Sequence, residues 1–156
     1  MSIAENAYKT ICCIRCGDEV GSGFLIAPDM VLTADHVILP FYESGESVKV
    51  TFENDATAIE CSVMLPESGT ARPIALLKLS RERDVSVDKI SDEILKPDDT
   101  VSACGFFPSD TTRADSITLK CVRTYKMDEN QNVSFKPMDE RRDSFSGFSG
   151  APIYMD

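Results

Sequence analysis

The feature that most constrains this chain is a serine flanked by glycines close to the C-terminal end of the sequence. Residues 147–152 read Gly-Phe-Ser-Gly-Ala-Pro, which places Ser149 between Gly147 and Gly150. Glycine adopts backbone angles that other residues avoid. Such a turn can expose a serine hydroxyl while neighbouring N–H groups converge on a spot that could hold an oxyanion. A glycine-rich hairpin turn would give the same pattern, so the motif indicates chemistry only if the chain also supplies a base.

The chain has one histidine, and the residues around it supply that second half of the pattern. His36 follows Gly-Ser-Gly-Phe-Leu-Ile at 21–26 and lies in Leu-Thr-Ala-Asp-His-Val at 32–37. Together the two stretches resemble the His and Ser regions of the chymotrypsin-like (trypsin-like) serine peptidases. Gly-Phe-Phe-Pro at 105–108 resembles a strand end of the bacterial members of that family. The order, His before Ser, is also that family's order. The resemblance runs from about Ile11 to Tyr154.

The resemblance implies an all-β fold of two six-stranded antiparallel β-barrels in a single peptidase domain over residues 1–156. The N-terminal barrel would span 1–79 and carry His36, a linker would span 80–99, and the C-terminal barrel would span 100–156 and carry Ser149. Family members continue beyond the strand after the serine. The second barrel is therefore expected to be incomplete at its C-terminus: the domain is either truncated or completed by a partner or by another part of a longer polypeptide.

Apolar and β-branched segments separated by turn residues support this plan. Six strands are predicted before residue 80, at 8–16, 23–27, 30–33, 47–52, 58–65 and 74–79, with a short helical turn carrying His36 at 34–39. The charged stretch 80–99 is predicted to hold a helical turn within 87–95. A strand at 100–106 and a hairpin of 117–126 with 132–136 are predicted in the second half.

The resemblance also assigns chemical roles. Ser149 would be the nucleophile, which needs an adjacent base because a serine hydroxyl is weak at neutral pH. His36 would take the hydroxyl proton and return it to the leaving amine, since imidazole exchanges protons near neutral pH. The backbone N–H groups of Gly147 and Ser149 would form the oxyanion hole. No cofactor and no metal are expected.

The third member of the family's triad is not found at its usual place. Family members carry Asp-Ile-Ala-Leu-Leu where this chain reads Pro-Ile-Ala-Leu-Leu, so Pro73 stands at the aspartate position. Three interpretations remain open: another carboxylate such as Glu67 substitutes, a Ser-His dyad works slowly, or the protein is a pseudoenzyme. Asp35 is discounted because side chains adjacent in sequence rarely face each other.

Substrate selection and activation give two further expectations. Asp143, followed by Ser144, stands at the offset before Ser149 where trypsin-like members have the pocket carboxylate that attracts Arg or Lys. The alternative is that Asp143 belongs to a solvated charged loop over 139–143. Phe148 replaces the aspartate that pairs with a newly cut N-terminus in digestive members, and no Ile-Val-Gly-Gly start is present, so activation by clipping is not expected.

Charge and cysteine usage bound the partners and the compartment. The 26 acidic and 16 basic residues give a net charge of −10, which disfavours nucleic acids and anionic membranes as partners. The expected partner is a protein or peptide substrate. No secretory signal and no apolar stretch of membrane-spanning length is visible, so a cytoplasmic location is predicted.

Six cysteines leave two further interpretations to weigh. In a reducing compartment they are expected to be reduced and structural. Cys13 and Cys16 form a C-x-x-C pair, but no second ligand pair follows, so a zinc or redox site built on Cys12, Cys13 and Cys16 is the weakest alternative. A protease fold used for peptide binding or regulation is the main alternative to an active endopeptidase.

Overall fold

The first half of the molecule is a closed antiparallel barrel of six strands. A computed structural model of the chain describes residues 5–65, 73–87, 89–127, 130–138 and 146–155. The barrel order is β1-β2-β3-β6-β5-β4, which confirms the predicted N-terminal barrel. The strands are β1 (Ile11–Cys16), β2 (Glu19–Ala27), β3 (Met30–Ala34), β4 (Val48–Phe52), β5 (Ile59–Leu65) and β6 (Ile74–Leu79).

Three short helical segments accompany the barrel. Helix α1 (Glu5–Tyr8) precedes β1, and a 3-10 helix (Asp35–Ile38) followed by α2 (Leu39–Ser44) connects β3 to β4. The helical turn predicted around His36 is therefore present. No helix in the described part of the chain is long and apolar enough to cross a membrane.

The second half forms an open sheet of four antiparallel strands in the order β10-β7-β8-β9. These strands are β7 (Thr100–Phe107), β8 (Asp110–Met127), β9 (Asn130–Pro137) and β10 (Ile153–Met155). Over the described residues this half is thus an open sheet and not the closed second barrel of the family plan. The predicted hairpin corresponds to β8 and β9, although β8 begins at Asp110 and not at Ile117.

The segment between the two sheets is held on the barrel by polar contacts. Its described residues, 80–87 and 89–99, form neither helix nor strand, so the helical turn predicted within 87–95 is wrong for the residues that can be seen. The Arg83 backbone N–H donates to the Pro28 carbonyl at 2.7 Å. Its guanidinium meets both carboxylate oxygens of Asp55 at 3.0 and 3.2 Å. These bonds tie the start of the segment to the barrel.

Strand β1 is the wall shared by the barrel and the second sheet. Alternate residues of a strand face opposite sides. Accordingly, Cys12, Ile14 and Cys16 belong to the barrel core, whereas Ile11 and Cys13 pack with Cys104 and Phe106 of β7. Burial on both sides explains why β1 reads as an almost continuous apolar run.

The same alternation removes the zinc interpretation of the C-x-x-C pair. Cys13 and Cys16 are three positions apart in a strand, so their thiols point to opposite faces and belong to different core clusters. No group of three or more His, Cys, Asp or Glu suited to a metal lies among the described residues, which include all six cysteines and His36. All six thiols are free, and all but Cys61 are buried.

We expect the native protein to resist thiol alkylation. Burial raises the pKa of Cys61 and of Cys104 to about 12, and also raises the pKa of Cys12, Cys13 and Cys16. The reactive thiolate is therefore scarce at pH 8. Mass spectrometry should show little iodoacetamide uptake over minutes in the native protein and six additions after denaturation. Rapid native labelling of Cys13 or Cys16, or a mass deficit of two protons, would contradict the buried-thiol assignment.

Candidate active site

His36 lies in the 3-10 helix that begins directly after β3. Strand β3 is a central strand of the barrel, paired with β2 on one side and β6 on the other. The Asp35 N–H donates to the Pro73 carbonyl at 3.1 Å, so the chain before β6 is held against the segment that carries the histidine. Val37 and Ile38 are buried while the His36 side chain is exposed, which anchors the helix through its apolar residues and leaves the imidazole accessible.

Ser149 lies in a tight turn bounded by two glycines. Gly147 and Gly150 have φ of +92° and +84°, in the region that side chains with a Cβ rarely adopt. The Ala151 N–H donates to the Phe148 carbonyl at 2.9 Å and closes the turn around Ser149. The glycines that the sequence motif singles out are therefore the residues that this backbone conformation requires.

The serine turn packs directly on the strands that lead to the histidine. A Cβ on Gly150 would overlap the Ser22 carbonyl and the Thr33 hydroxyl, and would lie 2.9 Å from the Ala34 nitrogen. A Cβ on Gly21 would be wedged between Val37 and the Ser149 carbonyl. The segments carrying His36 and Ser149 are thus brought together, although no hydrogen bond joins the two side chains.

An apolar contact anchors Phe148, the residue before Ser149. The rings of Phe148 and Phe107 have centroids 4.5 Å apart, and Phe148 packs against the buried cluster formed by β7 and β8. At this position the digestive peptidases are expected to carry an aspartate that pairs with a new N-terminus. Here a hydrophobic contact of Phe148 helps to hold the turn.

The position of the missing aspartate is visible, and it has no ionisable group. Pro73 is exposed, and its carbonyl accepts the Asp35 N–H of the histidine segment, as described above. Glu67 lies outside the described residues, as do Asp143 and Ser144. Asp35, the carboxylate next to His36 in sequence, lies in the same 3-10 helix. Burial raises the pKa of Tyr42, and the charge of Asp35 raises it further.

The sequence motifs indicate no separate role for Ser22 and Thr33, two residues that the structure places at the candidate site. Both lie inside the motifs around His36, in Gly-Ser-Gly and Leu-Thr-Ala, where the sequence shows only polar residues within strands. In the structure both are buried polar side chains, at 0% and 3% exposure, next to the serine turn. A polar residue in an otherwise apolar strand was the available signal, because a buried polar group requires a partner.

Comparison with known proteins identifies the family. The model of the trypsin-like peptidase domain matches residues 21–156. The chain belongs to this family. No curated protein sequence matches it.

Solved structures agree on the fold. The Rv3671c protease in its inactive form is 18% identical with a TM-score of 0.73, covering 96% of this chain and 73% of that one. The active form of this protease from M. tuberculosis gives 18% identity and a TM-score of 0.71, over 96% and 66% of the two chains. Deg5 is 17% identical with a TM-score of 0.74, covering 97% of this chain and 76% of the Deg5 chain. At these identities the likeness extends to the fold only.

The packing of Gly150 predicts a specific loss of stability. Gly150→Ala adds a Cβ at a position where φ is positive and where that atom would overlap Ser22 and Thr33. We therefore expect it to lower the free energy of unfolding by about 2–5 kcal/mol. Gly45→Ala is the matched control, because Gly45 also has positive φ but nothing within 4 Å of its Cβ position. The control should lose only about 1 kcal/mol. Equal losses in urea unfolding would show that the turn does not pack as described.

Proposed function

We propose that this protein is a serine endopeptidase that cleaves peptide bonds by acyl transfer through Ser149 and His36. The observation that carries the proposal is the packing of the Ser149 turn on β2 and β3 beside the helix of His36. Membership of the trypsin-like peptidase family supports it. The exposed imidazole and the turn with its two left-handed glycines supply the residue types that this chemistry needs.

The proposed reaction has two halves. Ser149 Oγ bonds to the scissile carbonyl carbon while His36 takes the hydroxyl proton, and the N–H groups of Gly147 and Ser149 stabilise the resulting oxyanion. His36 then gives the proton to the leaving nitrogen as the C–N bond breaks, leaving an ester on Ser149. Water then adds to the ester carbonyl carbon while His36 takes a proton from it. As the C–O bond to Ser149 breaks, His36 returns that proton to Ser149 Oγ and the carboxylic acid product is released.

The Pro73 position sets the expected rate. Without a carboxylate to orient the imidazole and stabilise its protonated form, turnover falls; loss of that group costs ~10⁴ in the family's worked example. We therefore propose a Ser-His dyad of low turnover unless a carboxylate such as Glu67 supplies the missing contact. Pro73 is also the observation that favours the second candidate function, a peptide-binding or regulatory module with little or no catalysis.

Labelling with a fluorophosphonate probe tests the nucleophile. Native protein should be labelled at Ser149, Ser149→Ala should take up no label, and His36→Ala should label at least ~10²-fold more slowly, because general-base catalysis contributes about that much. Ser102→Ala is a control for the loss of a buried serine hydroxyl in the neighbouring sheet. Absence of labelling in the native protein, with peptide binding retained, would favour the binding module. Full labelling of His36→Ala would contradict the assigned base.

The specificity proposal rests on sequence spacing alone. We propose that Asp143, beside Ser144, attracts Arg or Lys in the residue before the cleaved bond, because a buried opposite charge interacts far more strongly than an exposed one. A peptide-library scan should show basic residues at that position, and Asp143→Ser should abolish the preference. An apolar preference that survives this substitution would place Asp143 in the solvated charged loop.

A further inference from the structure

Ser22 connects the barrel, the second sheet and the serine turn through its own atoms. It lies in β2 opposite Cys13 of β1 and is completely buried. Its N–H donates to the Ser149 carbonyl at 2.8 Å. Its hydroxyl donates to the Gly147 carbonyl at 2.6 Å and accepts the Phe106 N–H at 2.9 Å. One residue thus contacts both ends of the segment that holds the nucleophile.

The direction of these bonds is set by the groups themselves. A backbone N–H can only donate and a carbonyl can only accept. Because the Phe106 N–H donates to the Ser22 hydroxyl, the hydroxyl's single proton is free to go to the Gly147 carbonyl. Gly105 leaves the room for this arrangement, since a Cβ there would lie 2.6 Å from the Ser22 oxygen.

Three consecutive carbonyls of the turn are held in this way. Ser22 holds those of Gly147 and Ser149, and the Ala151 N–H holds that of Phe148 between them. In a trans peptide the N–H points opposite to the C=O. The Ser149 N–H belongs to the peptide whose carbonyl is the one on Phe148, so it points away from the closed side of the turn. This N–H is a proposed oxyanion donor.

Thr33 in turn holds Ser22. Its buried hydroxyl donates to the Ser22 carbonyl at 2.7 Å, and its oxygen lies where a Cβ on Gly150 would be. Thr33 lies on β3, three residues before His36. A chain of hydrogen bonds therefore runs from β3, the strand that leads to the His36 helix, through Ser22 to the turn that carries Ser149.

We propose that Ser22 and Thr33 are positioning residues that hold the 147–150 turn with its Ser149 N–H ready to bind an oxyanion. This inference deepens the proposed peptidase function and rests on it for its kinetic consequence. It adds two residues that touch neither substrate nor reacting atoms. Their effect is exerted through the backbone, and so it should be felt in the transition state more than in substrate binding.

The first test is kinetic. We expect Ser22→Ala to lower kcat about 10–100-fold with KM changed less than about 3-fold, a part of the ~10²–10³ lost when an oxyanion donor is removed. Thr33→Val, which keeps the shape of the side chain and removes its hydroxyl, should also lower kcat. Thr33→Ser, which keeps the hydroxyl, should have a kcat close to that of the native protein. Ser102→Ala, which deletes a buried serine hydroxyl of β7 at a different site, should leave kcat unchanged. Equal kcat losses in Ser22→Ala and Ser102→Ala would overturn the proposal.

The second test does not depend on catalysis. In ¹⁵N-labelled full-length protein, Ser22→Ala should shift the amide resonances of residues 147–150 and accelerate hydrogen exchange at the Phe106 N–H, which loses its acceptor. Ser102→Ala should leave these signals in place. If the native protein has no peptidase activity, the proposed function fails, and this measurement still decides the positioning role. Unchanged 147–150 amides in a folded Ser22→Ala protein would overturn it.

Discussion

The candidate active site depends on a buried seam of hydrogen bonds centred on Ser22. The seam runs from Thr33 on β3 to Ser22 on β2, and from Ser22 it branches to the serine turn and to Phe106 on β7. A buried polar group left without a partner costs about 1–3 kcal/mol, whereas a satisfied one contributes about 1 kcal/mol. Because Ser22 bonds to β3, to the serine turn and to β7 at once, the seam fixes the relative positions of these segments as well as their stability.

Glycines make the close approach possible. Gly105, Gly147 and Gly150 each lie where a side chain would overlap a neighbouring backbone or hydroxyl group. Two of them also have positive φ, so they serve the turn and the packing at once. The apolar contact of Phe148 with Phe107 adds a hydrophobic anchor on the second sheet. The turn is therefore held by polar contacts to the barrel and an apolar contact to the sheet.

The turn of Ser149 is held in place, but the family's carboxylate is missing from its usual position at residue 73. Position 73 offers the His36 segment a backbone carbonyl where the family pattern has a carboxylate. A carbonyl can accept a hydrogen bond but cannot supply the negative charge that stabilises a protonated imidazole. The turn of Ser149 is thus held in place by its surroundings, while Pro73 offers His36 no carboxylate at the family's usual position. Both observations fit the slow acyl transfer proposed above.

The β class, the six strands of the barrel and the two motifs around His36 and Ser149 could be read from the sequence alone. Strand periodicity, turn residues and glycines leave local signatures along the chain. It also predicted the helical turn at His36. It could not distinguish the roles of Cys13 and Cys16, nor place the segment 80–99, because facing directions and long-range hydrogen bonds depend on which strands pair. Only the tertiary structure decided that Ser22 and Thr33 belong to the site, since their partners are remote in sequence: Gly147 is 125 positions from Ser22. A hydroxyl in a strand looks the same along the chain whether it faces solvent or a buried carbonyl, and only packing gives it that carbonyl.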